Sequence, residues 1–465
     1  MNAPRVRAAL AADVLTVGLL LLSAAVALGG GFRLQLAGVR LSFTAADRLL
    51  IAAVLVAAIR HWLVLRPTLI DRLRNGFRPV LSADSVRAAL PIWLGTRFAV
   101  PLIGLAAVFL IGYPEGAHPP RVSENELLNL PMRWDAGWYT NIAAGGYDWR
   151  PLTAQQQDIA FFPALPMAMR ALGTVFGGSP VAILFAGVVV SSAAFLWALV
   201  YLYHLGVRDD VLGDGGRARA AVLLIACYPF AVFHGAVYTE SLWLLTVVGA
   251  FWHALRHEWW RCAAWGLLSG LTRPNGCLLS VALAVLVLQM ALRTDRLERR
   301  PAVAGGLAAV AAPGIGLLLY AGYIYHLTGN PLQWALVHEA WGRGSGLQEL
   351  TDLFASLVKH GVWVWLKDSG AAVMNTVAAL TALILTWPVT RRFGLAYGAF
   401  MFVNLLAPLL SGGSLSAGRV TSTLFPLFLW LAHAIPARHR EAWVAAFAVG
   451  QGLMAVLFYT WRAPY

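Results

Sequence analysis

The chain alternates long apolar runs with short polar breaks. Windows of about 20 apolar residues, the helix length that crosses a bilayer's hydrocarbon core, predict about 13 spans. They fall near residues 8–30, 49–65, 90–112, 180–204, 218–236, 239–256, 261–272, 276–292, 302–325, 369–389, 393–410, 421–436 and 441–460. Between the third and fourth spans, residues 134–144 and 160–170 carry Trp, Tyr and Phe, residues favoured at membrane–water boundaries, which predicts interfacial helices there. The predicted fold is an all-α polytopic membrane protein, a helical bundle forming one domain over 1–465. Its parts are the first spans (1–112), a large loop (113–179), central spans (180–325), a second large loop (326–368) and the last spans (369–465). The run Ala8–Gly30 is long for a signal-peptide core and contains Asp13, so it reads as a retained span.

Composition agrees with the pattern. Hydrophobic residues make up 59% of the 465 positions and charged residues 12%, against about 25% charged in soluble domains. Cys227, Cys262 and Cys277 lie in apolar runs without CxxC spacing, which points to neither disulfides nor zinc. The net charge of +13 does not indicate nucleic acid, because the arginines sit in short loops between spans. With the N-terminus cytoplasmic, 21 Lys and Arg fall inside and 13 outside, and Arg97 lies within a span. That is the asymmetry of the positive-inside rule.

This orientation places five polar segments on the outer side: the loop around 113–162, "HGAVYTES" (234–241), "LTRPNG" (271–276), the loop 326–368 and "SGGSLSAGR" (411–419). The inner loops are short and Arg-rich. A transporter built from inverted repeats would hold polar groups near the midplane of both halves; here they gather at one face.

In "RWDAGWYTNIAAGGYDW" (133–149) Asp135 lies between Trp134 and Trp138. It is either a solvated or N-capping residue of an interfacial helix, or a working carboxylate. Glu240 in "YTES" fits a helix N-terminus by dipole alone, and His234 fits hydrogen-bonded packing as well as a ligand role. Arg273 in "LTRPNG" and Arg419 in "SLSAGRVTS" stand at the lips of spans on the side disfavoured for cations. They are either snorkelling side chains or phosphate-capturing guanidiniums, whose paired donors match phosphate oxygens. No metal, nucleotide, nucleophile-elbow or kinase motif is present.

Taken in order, "RWDAGWYTNIAAGGYDW…AFFPALP", "YPFAVFHGAVYTESLWLL", "WGLLSGLTRPNG" and "GRVTSTLFPLFLWLA" resemble the PIG-V mannosyltransferase family and its bacterial relatives. The resemblance runs from Arg133 to Ala432. Val420 stands where the family usually has tyrosine, and two spans precede the one leading into the Asp135 loop, where the family commonly has fewer. The family is similar to the GT-C glycosyltransferases, helical membrane enzymes with an extracytoplasmic site. The resemblance implies a polyprenyl-phosphate sugar donor and Asp135 as catalytic base; attack opposite the leaving phosphate would then invert the anomeric carbon. It leaves Arg419 and Arg273 as donor-phosphate residues, with Trp134, Trp138, Tyr139, His234, Tyr238, Glu240, Asn275, His338 and Glu339 as substrate-binding candidates. No metal or other cofactor is implied.

Chemistry supports those expectations. A glycosidase needs two carboxylates flanking the bond, whereas a phosphate leaving group can be stabilised by arginine, leaving one base to take the acceptor's proton. Mannose is the expected sugar, with arabinose or glucose as alternatives; the acceptor is a glycan, glycolipid or protein. Two lysines among many Arg and Ala suggest a bacterial plasma membrane. A transporter of lipid-linked or small substrates is the rival reading, and it would depend on the in-span charges Asp13 and Arg97.

Overall fold

The computed structural model describes scattered positions between 9 and 26 and residues 32–36, 39–43, 45–64, 82–151, 155–293, 296–341, 346–413 and 415–463. Much of the expected first span, the Arg-rich loop 65–81, the end of the 333–344 segment and Ser414 of "SGGS" lie outside the described residues. The chain divides into two compact units, Met1–Ser82 and Ala83–Tyr465.

In the first unit, β1 (Phe32–Leu36) and β2 (Val39–Phe43) form an antiparallel hairpin with Phe32 opposite Phe43 and Leu36 opposite Val39. The hydropathy windows did not anticipate it. Its signal is the strict alternation of "FRLQL" and "VRLSF" about Ala37-Gly38. Helix α1 follows (Ala46–Leu63). Its Arg60 pairs with buried Asp13, Nε to Oδ1 at 2.6 Å, so the first in-span charge has an internal counter-ion.

The second unit is helical throughout its regular structure. Its main helices are α2 (Ala83–Leu110), α3 (Ala136–Gly145), α4 (Ala164–Val175), α5 (Pro180–Gly206), α6 (Gly215–Cys227), α7 (Glu240–Ala254), α8 (Trp259–Thr272), α9 (Leu279–Arg293) and α10 (Arg296–Thr328). They continue as α11 (Gly346–Phe393), α12 (Leu395–Gly412), α13 (Ala417–Thr421), α14 (Phe425–Ala434) and α15 (Arg440–Tyr459). The breaks fall close to the predicted ones, and α3 and α4 supply the two short helices expected in the first large loop. The second expected loop is partly helical, because α11 begins at Gly346 and kinks at Gly361 and Ser369.

The expected count of 13 spans is not confirmed. Among the described residues, seven helices are long and apolar enough to cross a membrane, or eight if one bent pair is a single span. Helices α8 and α14, at 14 and 10 residues, are too short, and helix α7 accounts for another of the missing spans. All of its 15 residues are buried, and its length of about 22 Å is short of the roughly 30 Å hydrocarbon core. A hydropathy window scores such an interior helix like one facing lipid.

The bent pair is α6 and the 3-10 segment Pro229–Gly235, which meet at 82°. Pro229 drives Tyr228 out of helical geometry (φ −56°, ψ 141°), and nearby carbonyls must find new partners. Arg97 Nη1 donates to Ala231 O at 2.9 Å and Nη2 to Ala226 O at 3.4 Å, while Gln451 Nε2 donates to Ala226 O at 2.9 Å. Irregular backbone at membrane depth needs such internal donors. Arg97 is therefore a structural cation.

Candidate functional site

All five polar segments predicted to share one side converge on a single cavity of about 460 Å³. It is lined by Asp135 and Tyr139, Phe161, Thr239, Arg273 and Asn275, His338 and Trp341, and Ser416 and Arg419, with Leu278, Pro408, Leu415 and Val420 giving an apolar side.

Asp135 immediately precedes α3, yet its side chain makes no capping hydrogen bond. Its backbone N–H donates to the Tyr238 hydroxyl at 3.1 Å, and its carboxylate faces the cavity. Oδ2 accepts from Arg419 Nη1 at 2.9 Å. Among the described residues no hydrogen bond reaches Oδ1. The N-capping alternative is thus excluded by geometry.

Arg419 arrives on α13, a single turn entered through Ser416 in the left-handed region (φ 60°). Gly418 N–H donates to Asn375 Oδ1 at 2.8 Å, and a Cβ at Gly418 would collide with the ring of Phe230. The turn is thereby pressed onto the Pro229 bend. The guanidinium is nearly buried; it lies 5.0 Å over the Tyr238 ring, and its Nε is 2.8 Å from Glu240 Oε1. Arg273 closes the group: Nη1 meets the same Glu240 Oε1 at 2.7 Å, and the guanidinium lies over Trp243. Arg273 leaves α8 in extended geometry, in a turn where a Cβ on Gly276 would strike Ser269 O.

The result is a balanced cluster of two carboxylates and two guanidiniums. Glu240 is wholly buried at its base. It faces both arginines but not the cavity, and its Oε2 accepts no hydrogen bond among the described residues. It is a counter-charge that orients Arg273 and Arg419, whereas the sequence suggested a substrate contact.

Of the other residues singled out from sequence, Tyr139, Asn275 and His338 line the cavity. Burial and the carboxylates of Asp135 and Glu240 push the Tyr139 hydroxyl's pKa up, keeping it protonated. Asn275 donates to Asn404 Oδ1 at 3.0 Å. Trp138 stands behind the wall, stacked on Phe161 at 5.7 Å and edge-on to Trp341 at 5.8 Å. His234 is buried, stacked on Phe195 at 4.4 Å and bonded to Ser241 and to Ser422 O, which is the packing role. Tyr238 lies under Asp135 and Arg419. Glu339 is exposed and Trp134 turns toward the end of α15; neither lines the cavity. Sequence reasoning missed Phe161 and Trp341, whose aromatic rings meet edge-on at 5.8 Å and line the same cavity as the arginines. Their only signal was membership of "AFFP" and "HEAWGRG".

The fold and cavity define a helical membrane protein with a polar, arginine-bearing pocket to which all five of the polar segments contribute. Residues 118–307 match the family profile described as Mannosyltransferase (PIG-V). Among curated proteins no match is found. Solved structures that the chain matches include the archaeal oligosaccharyltransferase AglB from Archaeoglobus fulgidus in complex with an inhibitory peptide and a dolichol-phosphate, at 12% identity and a TM-score of 0.37 over 80% of this chain and 56% of that one. An Archaeoglobus fulgidus oligosaccharyltransferase in complex with Zn and sulfate matches at 13% identity and a TM-score of 0.37, over 80% and 53%. The chain spans about half the length of these proteins.

Proposed function

We propose that the protein is a GT-C-type glycosyltransferase that moves a sugar, mannose first among candidates, from a polyprenyl-phosphate carrier to an extracytoplasmic acceptor. The observation that carries the reading is the Asp135–Arg419–Glu240–Arg273 cluster at the edge of a cavity that Phe161 and Trp341 also line. The PIG-V match over 118–307 favours mannose.

In the proposed step, the acceptor hydroxyl gives its proton to the Asp135 carboxylate as its oxygen bonds to the sugar's anomeric carbon. The bond from that carbon to the phosphate oxygen breaks, and the polyprenyl phosphate departs with the electron pair. Attack opposite the leaving group inverts the anomeric centre. Arg419 and Arg273 receive the growing charge, with geometry already fixed by Glu240, which is how electrostatic preorganisation lowers a barrier. The apolar side at Leu278, Pro408 and Leu415 suits the first isoprene units, and Phe161 and Trp341 suit a sugar ring. A lipid-linked donor supplies all that this chemistry needs, without another cofactor.

The test is turnover by purified protein in lipid, with radiolabelled polyprenyl-phosphate mannose beside the corresponding glucose and arabinose carriers. Release of polyprenyl phosphate from the mannose carrier alone supports the reading in full. Turnover of another carrier replaces the sugar assignment, and turnover of none rejects a transferase.

A further inference from the structure

Asp135 is held in place from the far end of the chain. The residue before it, Trp134, has φ +52°, a left-handed conformation that is an outlier for a bulky side chain and persists only where surroundings impose it. Those surroundings are the last turn of α15 and the residues after it. Trp134 Nε1 donates to Phe458 O at 3.0 Å, and its rings lie 4.6 Å from those of Trp461. Arg133, wholly buried, donates from Nε to Tyr459 O at 3.0 Å and from Nη2 to the Tyr113 hydroxyl at 2.7 Å. Arg462 Nη1 in turn donates to Gly112 O at 3.0 Å.

The carbonyls of Phe458 and Tyr459 belong to the last turn of a helix, where intrahelical partners run out. Here residues immediately before Asp135 satisfy them. Phe458 also packs edge-on against Tyr238, whose hydroxyl accepts the Asp135 N–H. The segment Phe458–Arg462 therefore reaches Asp135 along two routes, through Trp134 and through Tyr238.

We infer that Phe458–Arg462 is a positioning clamp for the catalytic carboxylate, acting through the left-handed Trp134. The inference rests on the role of Asp135 proposed above. A bond to a helix-end carbonyl could in principle only add stability. What sets this one apart is that it fixes a strained backbone at the residue adjoining the carboxylate, where a displacement of about 1 Å can cost 100-fold in rate.

The experiment compares Trp461→Ala, Trp134→Ala, Trp134→Gly and Asp135→Asn with wild type in lipid. Donor turnover is measured well below each variant's unfolding temperature, together with hydrogen exchange of peptides covering residues 133–140. Trp461→Ala and Trp134→Ala are expected to lower kcat at least tenfold with donor KM within twofold, and to speed exchange over 135–139. Trp134→Gly accepts positive φ without strain and is expected to recover part of the kcat lost in Trp134→Ala. Should Trp134→Ala fail to fold, Trp461→Ala decides alone, since it leaves the loop sequence intact. Wild-type kcat and exchange in Trp461→Ala overturn the clamp, whatever its thermal stability. Full turnover by Asp135→Asn instead overturns the role of Asp135, and the two failures are distinct.

Discussion

Asp135 Oδ2 and Arg419 Nη1 lie 2.9 Å apart although 284 positions separate the residues in sequence. The pair joins the first large loop to the one-turn helix between α12 and α14, and through Glu240 it reaches Arg273. A phosphate entering the cavity would meet two guanidiniums whose charges are already met by carboxylates, so donor binding must redistribute these contacts. In the proposed reaction Arg419 then shares its donors between Asp135 and phosphate.

The two arginines should therefore separate kinetically. Arg419→Lys keeps the charge but loses the planar fork and disturbs Asp135 as well, so it is expected to lower kcat by about 100-fold, the scale of losing one oxyanion donor. Arg273→Lys touches only Glu240 among the carboxylates and should act mainly on donor KM. Steady-state kinetics with varied donor distinguishes the two; equal effects on the same constant contradict this division.

Glu240→Ala removes a carboxylate that serves two buried cations. Leaving charges unpaired in a low-dielectric interior costs about 3–5 kcal/mol, so its thermal unfolding midpoint should drop clearly below wild type in the same lipid. A midpoint equal to wild type's would show that Glu240 is not their counter-charge.

How much of this was legible in the sequence follows physical lines. The breaks between spans were readable, because a charge or a Pro/Gly cluster interrupts an apolar run whatever surrounds it. That the Asp135, Arg273 and Arg419 segments share a face followed from the Arg asymmetry, and the cavity brings them together. Whether a run faces lipid or the protein interior was not readable, since the run in α7 from Leu242 to Ala254 is predominantly apolar either way. Nor was the role of Glu240, because a helix-dipole carboxylate and a buried counter-ion look alike until Arg273 and Arg419 are placed 2.7 and 2.8 Å away. Trp134 and Trp138 are four apart in the loop sequence, yet one turns to α15 and the other to the aromatic wall, a divergence set by a left-handed φ that no local pattern announces.

Arg97→Leu should destabilise without a specific kinetic effect. It strips donors from the Ala226 and Ala231 carbonyls, each costing about 1–3 kcal/mol when left buried and unmet. The check is a lower unfolding midpoint with unchanged donor KM; a normal midpoint would show that Gln451 or other donors take over.

Asp158 gives a pH signature. Burial, with the neighbouring Asp148 carboxylate adding and the Asp148 N–H bond opposing, raises its carboxyl from 3.8 to about 6. A raised folded-state value means the folded protein binds the proton more tightly. This group's stabilising contribution is full below about 3.8 and lost as pH rises through 6. Asp158→Asn keeps an acceptor for the Asp148 N–H and should flatten the fall in unfolding midpoint between pH 4 and 6. An unaltered fall would assign it to other groups.

The most direct measurement is the rate of polyprenyl-phosphate release from radiolabelled polyprenyl-phosphate mannose by wild type and by Asp135→Asn, in the same lipid and at matched donor occupancy. The account predicts that wild type turns the donor over and that Asp135→Asn binds it with turnover reduced by at least 100-fold. Equal turnover by the two proteins would contradict it, and would leave Asp135 as no more than the counter-ion of Arg419.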